Sequence, residues 1–315
     1  MDLSKIDYPY YSYEYTLNKT KIKKLIKDFD PIIYTEIPPE YKRFHFEKYE
    51  NKYFIIKEDD WKKNEEINNI TDIFSEKGRV KCQFGNKPSP HDYWQLHKEE
   101  MIKRTYDKYH SLTIRNLREA IYNSIDTKLC NNFRITVALT ILKYFKPKSW
   151  LDISAGWGDR LLSAIFYNIS MYVAADPNKE LHQYYNNMID TFVPKTKRKN
   201  FILFEGGFED IKLSYKDFDI VFSSPPFFDL EKYSTHESNS FIKYKTEKDW
   251  CKKFLLKSLN KAFKHLKVGG HMIIYMGGSK YVMGEMISAM NKIATYKGVI
   301  YFMTNLPRGI HVWQK

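Results

Sequence analysis
Cysteine is scarce in this chain, whose 315 residues carry only Cys82, Cys130 and Cys251. The three are scattered, with no Cys-x-x-Cys spacing, which excludes a disulfide framework and a cysteine-built zinc site. Each is expected as a small buried apolar side chain. Histidines show no His-x-Glu or His/Asp spacing either, so no metal is expected, and lone ones such as His91 and His236 read as packed or surface residues. No hydrophobic run approaches the roughly 20 residues that cross a bilayer, so no membrane partner is expected. The opening Met1-Asp2-Leu3-Ser4-Lys5-Ile6-Asp7 lacks the basic and apolar regions of a signal peptide, and an intracellular location is expected.

Acidic residues are the minority charge. Lys and Arg number 51 against 38 Asp and Glu, giving a net charge of +13 and a pI near 9.2. A polyanionic partner suits that excess. The first 150 residues hold 28 basic against 22 acidic side chains, so the excess is not confined to one tail. The one dense run, Pro194-Lys195-Thr196-Lys197-Arg198-Lys199, lies between two core elements and reads as a solvated loop. At 315 residues the chain accommodates one α/β domain and a second unit of ordinary size.

Residues 1–125 are Tyr-rich at Tyr8, Tyr10, Tyr11, Tyr13 and Tyr15, with a lysine-bearing helix near Thr20 to Phe29 and a strand-like Lys52 to Lys57. The cluster Gly85-Asn86-Lys87-Pro88-Ser89-Pro90 is the clearest breaker, and residues 92–125 then read as helical through Leu112, Leu117 and Ile121. From 126 onward the pattern alternates. Helices are expected at 131–145, 159–168, 178–191, 247–266 and 279–295. Strands are expected at 149–153, 171–175, 201–204, 218–223, 271–276, 298–304 and 309–314, the last two turned by Asn305-Leu306-Pro307-Arg308-Gly309. Strands alternating with helices imply a mainly parallel sheet covered on both faces, with the final hairpin supplying an antiparallel edge strand.

Two segments carry chemistry. After the apolar run Phe218 to Ser223 come Ser224-Pro225-Pro226-Phe227. Prolines lack the N–H a strand ladder needs, and each drives the preceding residue into an extended conformation. The carbonyls there are left rigidly aimed. A planar group bearing an NH2 can stack on Phe227 while the Ser224 hydroxyl and Pro225 carbonyl accept the two amino hydrogens. Upstream, Ser149 to Ile153 reads as a strand, Ser154-Ala155-Gly156-Trp157-Gly158 as a glycine turn, and Asp159 onward as a helix. Asp176, after the next strand, is placed to accept hydrogen bonds from both hydroxyls of a ribose. Leu161 stands where a dinucleotide fingerprint needs a small residue, and no Gly-Lys-Ser/Thr follows the turn, so neither a dinucleotide nor a P-loop site is indicated. A nucleoside cofactor without a pyrophosphate remains.

Asp152-x-Ser154-x-Gly156-x-Gly158 resembles the first motif of S-adenosylmethionine-dependent methyltransferases, with serine where most members carry glycine. Ser224-Pro225-Pro226-Phe227 resembles the catalytic motif of the amino-methyltransferases that modify N6 of adenine or N4 of cytosine. The longer stretches Ser154-Ala155-Gly156-Trp157-Gly158-Asp159-Arg160-Leu161 and Ser224 to Glu231 are similar to enzymes of large DNA viruses and phages. The resemblance covers roughly residues 130–315. It implies a Rossmann-like class I methyltransferase domain at 126–315, with a mainly parallel seven-stranded sheet. A smaller mixed α+β region at 1–125 would recognise substrate.

The implied cofactor is S-adenosylmethionine, held by Asp152, Ser154, Gly156, Trp157, Gly158 and Asp176, with Phe208 and Asp210 at its adenine and Arg134 at its carboxylate. The implied catalytic residues are Ser224, Pro225, Pro226 and Phe227. The implied partner is nucleic acid, DNA ahead of RNA. Phe228 to Tyr244, with Tyr233 and His236, would close as a lid, and Arg104, Arg115 and Arg118 would meet phosphates. No Pro-Cys nucleophile of a C5-cytosine enzyme is present. Two other readings compete: an inactive methyltransferase-like nucleic-acid-binding module, and a protein glutamine amide methyltransferase, whose members usually resemble Asn-Pro-Pro-Tyr at this position.

Overall fold
The central strands are apolar on both faces, as strands covered from two sides must be. In the computed structural model, which describes residues 3–36, 39, 52–56, 65–303 and 307–315, these runs assemble a nine-stranded sheet. Its strands are β1 (Ile33–Tyr34), β2 (Lys52–Ile56), β4 (Ser149–Asp152), β5 (Met171–Asp176), β6 (Phe201–Glu205), β7 (Phe218–Ser223), β9 (Leu266–Tyr275), β10 (Thr295–Met303) and β11 (Pro307–Gln314). A separate two-stranded ribbon pairs β3 (Gln83–Phe84) with β8 (Glu231–Lys232).

The sheet order is β1-β2-β10-β11-β9-β7-β4-β5-β6. Neighbours β6, β5, β4, β7 and β9 are all parallel. β11 runs antiparallel to both β9 and β10. This is the Rossmann-like α/β sheet that the strand–helix alternation predicts, with two differences. The antiparallel strand of the closing hairpin, β11, is enclosed between β9 and β10, while the antiparallel margin is β1 on β2, and N-terminal β2 extends the sheet by pairing in parallel with β10. Residues of the N-terminal part therefore share one sheet with the rest. Of the expected closing turn, Asn305 and Leu306 lie outside the described residues, as does Lys57 at the end of β2.

Side chains alternate between two cores. On one face Trp150, Tyr172 and Phe222 pack with helices α5 (Ile135–Phe145), α6 (Asp159–Tyr167) and α7 (Lys179–Phe192). On the other, Leu151, Val173 and Val221 pack with Trp250, Phe254, helix α8 (Lys257–His265) and helix α9 (Lys280–Asn291). The stretch expected as one helix over 247–266 runs from Glu247 through a π-helical Cys251–Leu256 into α8. The N-terminal part adds α1 (Lys19–Lys27), α2 (Asp72–Arg79), α3 (Pro90–Tyr109) and α4 (Ile114–Tyr122). The expected helix over 92–125 is thus two helices. His110, at φ 50°, ends the first in the left-handed conformation. Tyr8, Trp94, Leu117 and Ile121 form a third core beneath them. No helix among the described residues is long and apolar enough to cross a membrane.

A buried ionic cluster ties these N-terminal helices together. Arg118 reaches Asp72 at 3.2 Å and Glu76 at 2.8 Å, and Arg79 pairs with Asp72. The Tyr11 N–H donates to Glu76 Oε2 at 2.6 Å and the Tyr122 hydroxyl to Glu76 Oε1 at 2.8 Å. Arg118, predicted to meet phosphate, is therefore buried and already paired. Arg104 and Arg115 are exposed on the surface, Arg104 beside Glu100 at 3.6 Å. Arg118→Ala leaves two buried carboxylates short of a partner and is expected to cost about 3–5 kcal/mol of stability. Arg104→Ala should change it by no more than about 0.5 kcal/mol. Denaturant melts of the two variants measure the contrast.

Candidate active site
The chain runs from β4 outward to β5 and β6, then returns across the sheet to β7 on the other side of β4. Order reverses between β4 and β7, and in open α/β sheets the ligand crevice lies beyond the carboxyl ends of the strands at such a point. A cavity of about 770 Å³ occupies this place, a size usual for a small-molecule site. Its wall includes Ser154, Gly156 and Trp157 after β4, Asp176 at the end of β5, and Phe208 after β6. Ser224, Pro225, Pro226 and Phe227 after β7 complete the rim, and Arg134, at the N-cap of α5, faces the same space. The helix expected from 131 begins only at Ile135, because Asn131 to Arg134 form part of this wall.

The turn after β4 needs its glycines for two different reasons. Gly156 has φ +62°, a left-handed conformation, and a Cβ there would meet no atom closer than 3.7 Å, so the demand is conformational and leaves room for a ligand. Gly158 has φ +99°, and a Cβ would lie 2.6 Å from the Met188 Sδ and Cε atoms of α7. Gly158, predicted to touch the cofactor, instead lets α6 approach α7. Tyr185 locks the turn by donating to the Gly156 carbonyl.

Asp176 is buried and accepts the Gly156 N–H at 2.9 Å and the Asn178 N–H at 3.0 Å. Burial pushes its carboxyl up to about 6, against the pull of those two N–H groups. A carboxylate has about four acceptor positions, and the two backbone donors leave capacity for hydroxyl groups presented from the cavity.

Two predicted cofactor residues are placed elsewhere. Asp152 is wholly buried under the turn, where it accepts from Ser154 N–H at 3.2 Å, Arg160 Nε at 2.8 Å, Tyr172 OH at 2.9 Å and Ser223 Oγ at 2.6 Å. Four donors use its acceptor capacity, so it braces the turn instead of meeting a ligand. Asp210 is half-exposed and bound by Lys243 and, at 3.0 Å, Lys257; the hydrogen bond from Lys243 is the largest influence holding its carboxyl below the usual range. It does not form part of the wall described. Its neighbour Glu209 is the buried acid, accepting from Lys243 at 3.0 Å and Tyr244 at 3.1 Å.

The Phe227 ring lies over the bare backbone of Gly277, where a Cβ would come within 2.9 Å of it, and meets Tyr275 edge-on at 5.5 Å. The segment expected as a lid, Phe228 to Tyr244, is anchored. Its β8 pairs with β3, Gly85 N–H donates to the Leu230 carbonyl at 2.8 Å, and Cys82 Sγ donates to the Tyr233 carbonyl at 3.1 Å. Farther on, Ser238 Oγ donates to the Pro177 carbonyl at 3.2 Å. Tyr233 packs edge-on against Trp157 at 5.8 Å, while His236 is exposed and bonds only locally to Ser238. In the structure this segment stands as part of the cavity wall.

Several wall residues carry no local signal in the sequence. Phe84 comes from the N-terminal part through β3 and Lys128 from the loop before α5, with the Lys128 ammonium 3.8 Å from the Phe84 ring centre. Asn132 and Asp159 also line the cavity. Asp159 had one available signal, an acid in the first turn of a helix.

No family model and no curated protein matches the chain. Among solved structures it is similar to TrmN from Thermus thermophilus, at 12% identity and a TM-score of 0.43 over 64% of this chain and 66% of that one. It is also similar to an rRNA methylase from Streptococcus thermophilus, at 13% identity and 0.40 over 59% and 98%. A methyltransferase from Pyrococcus furiosus gives 18% identity and 0.41 over 70% and 98%. The chain thus spans about two thirds of the TrmN structure. The strand order, and not likeness at this level, identifies the fold, and the site rests on its own side chains.

The contrast between the two glycines is measurable. Gly158→Ala is expected to destabilise the fold by about 1–3 kcal/mol, because φ +99° lies outside the left-handed well open to a residue with a Cβ and the end of the Met188 side chain must also shift. Its Tm should fall by clearly more than that of Gly156→Ala, whose neighbours leave room.

Proposed function
We propose that this protein transfers a methyl group from S-adenosylmethionine to an exocyclic amino group of a nucleobase, N6 of adenine or N4 of cytosine, in a nucleic acid. The observation that carries the reading is the shared rim: one cavity is bounded by the glycine turn and Asp176 on one side and by Ser224-Pro225-Pro226-Phe227 on the other. When bound, the cofactor supplies a methyl group already activated by its sulfonium. Asp176 accepts from the ribose hydroxyls, and Trp157 and Phe208 provide apolar walls for the nucleoside.

On the other side the target base, turned out of any stack, lies on Phe227, whose ring is held by Gly277 and Tyr275. Ser224 Oγ and the Pro225 carbonyl accept the two amino hydrogens and hold the nitrogen with its lone pair toward the cofactor. Ser224, part-exposed at the cavity, then passes the displaced proton to water. Phe84 adds a stacking face from the N-terminal part, and Lys128, in the loop before α5, adds a positive charge. The excess of 51 basic over 38 acidic residues agrees with a polyanionic substrate.

Incubation with labelled cofactor and either DNA or RNA, followed by digestion and mass spectrometry of the nucleosides, tests the reading. Methylated adenosine or cytidine, as the ribo- or deoxyribonucleoside, is the expected product. Intact cofactor binding with no label on any nucleic acid would favour a binding module, and label on a protein glutamine would favour the amide enzyme. Ser224→Ala should lower the chemical step, each tenfold loss corresponding to about 1.4 kcal/mol. Phe227→Ala should weaken substrate use by about 1–3 kcal/mol. Cofactor affinity should stay near the wild-type value in both.

The raised carboxyl of Asp176 adds a pH dependence. Its folded value of about 6 lies above the ordinary 3.8, so this group's contribution to stability is fully present below the ordinary value and lost as pH rises through about 6. Cofactor binding runs the opposite way, because the ionised carboxylate is the better acceptor. Affinity should fall as pH drops below about 6, at up to about tenfold per unit, and calorimetry of Asp176→Asn across that range should lose this component; an unchanged profile would remove Asp176 from the contact.

A further inference from the structure
The buried carboxylates in and beside the cavity wall differ in what satisfies them. Asp72 pairs with Arg79 and Arg118, Glu76 with Arg118, and Asp152 with Arg160. Asp159 has no ion pair among the described residues. It receives one side-chain hydrogen bond, from Thr71 Oγ1 to its Oδ1 at 2.7 Å. Yet it is only 3% exposed and forms part of the cavity wall. Asp176 and Glu231 of the same wall also lack an ion pair among the described residues, but each accepts at least one backbone N–H group, whereas the Asp159 carboxylate has only the Thr71 hydroxyl.

Burial, the largest influence, pushes the Asp159 carboxyl up to about 7; Thr71, Arg79 and Arg160 pull it down without cancelling that effect, and Asp72 adds to it. A buried carboxylate without a counter-charge is costly. A cation entering from the cavity would supply the missing partner.

A second group points to the same kind of ligand. Asn132 lines the cavity, and its Nδ2 donates to Asp72 Oδ1 at 3.2 Å. That bond to an acceptor-only carboxylate fixes the orientation of the amide, so its other end is the carbonyl. Asn132 Oδ1 is buried without a hydrogen-bond partner. Both residues line the cavity and both groups accept hydrogen bonds; a donor-only ammonium suits the carbonyl and supplies the charge the carboxylate lacks. Among the described residues no cluster of three or more His, Cys, Asp and Glu side chains is present to hold a metal ion instead.

We propose that Asp159 and the Asn132 carbonyl bind the α-ammonium group of the cofactor's amino-acid portion, with Thr71 positioning the Asp159 carboxylate. The inference rests on the function proposed above. It also gives the N-terminal part a role in cofactor binding, since Thr71 stands directly before α2 and Asp159 opens α6 directly after the glycine turn.

The test is calorimetric binding of S-adenosylhomocysteine and of its deamino analogue, which differs only in lacking the ammonium group. Wild-type protein should prefer the parent compound. Asp159→Asn should lose about tenfold or more in affinity for the parent, as expected for a charged hydrogen bond, and little for the analogue. Asn132→Ala and Thr71→Val should each show a smaller loss with the same selectivity, and they keep the test open if the Asp159 variant folds poorly. Equal losses for the two ligands, or none, would overturn this assignment while leaving the proposed function standing. Wild-type protein that binds neither ligand would overturn both.

Discussion
One buried carboxylate, Asp152, holds the site in register. It ends β4 and gathers the Ser154 N–H of the glycine turn, Arg160 of α6, Tyr172 of β5 and Ser223 of β7. Those contacts join the two sides of the cavity, because Ser223 immediately precedes Ser224 and Ser154 opens the turn that leads to Gly156. Arg160 adds a second tie by donating to the Ser154 carbonyl. A carboxylate in water would gain little from any one of these partners. Fully buried, it must have them, and the position of each partner is therefore dictated by the others.

The same physics recurs one layer out, where Asp72, Glu76, Arg79 and Arg118 form a buried cluster between α2 and α4. Arg79 also donates to the Cys130 carbonyl at 3.0 Å, at the start of the segment that enters the cavity wall. With the β3–β8 ribbon and the Thr71–Asp159 bond, this joins the N-terminal part to the site at three places. The basic side chains left on the surface, Arg104 and Arg115 among them, carry the net charge. The most deeply placed arginines serve the fold.

Anchoring of Phe228 to Tyr244 has a mechanical consequence. A wall hydrogen-bonded to β3 and to the Pro177 carbonyl stands between the glycine turn and the Phe227 side of the cavity. Preorganised walls lower the ordering cost of binding, and Trp157 packed on Tyr233 links that wall to the turn directly.

Local chemistry alone determined much of this protein. Alternating strands and helices implied the mainly parallel sheet, the glycine turn after β4 followed from Gly156 and Gly158, and the double proline after β7 located the second half of the rim. Each signal lies within a few consecutive residues, where backbone sterics and periodicity act. Only the tertiary structure decided that Asp152 braces the turn, that Asp210 faces Lys243 and Lys257, and that Arg118 is buried. Burial and pairing depend on what another part of the chain brings alongside. The same holds for Phe84, Asn132, Lys128 and Asp159 in the wall, and for β11 lying between β9 and β10. A carboxylate's role is set by whether its acceptor positions are already filled, and its partners come from distant parts of the chain, as Thr71 does to Asp159 across 88 residues.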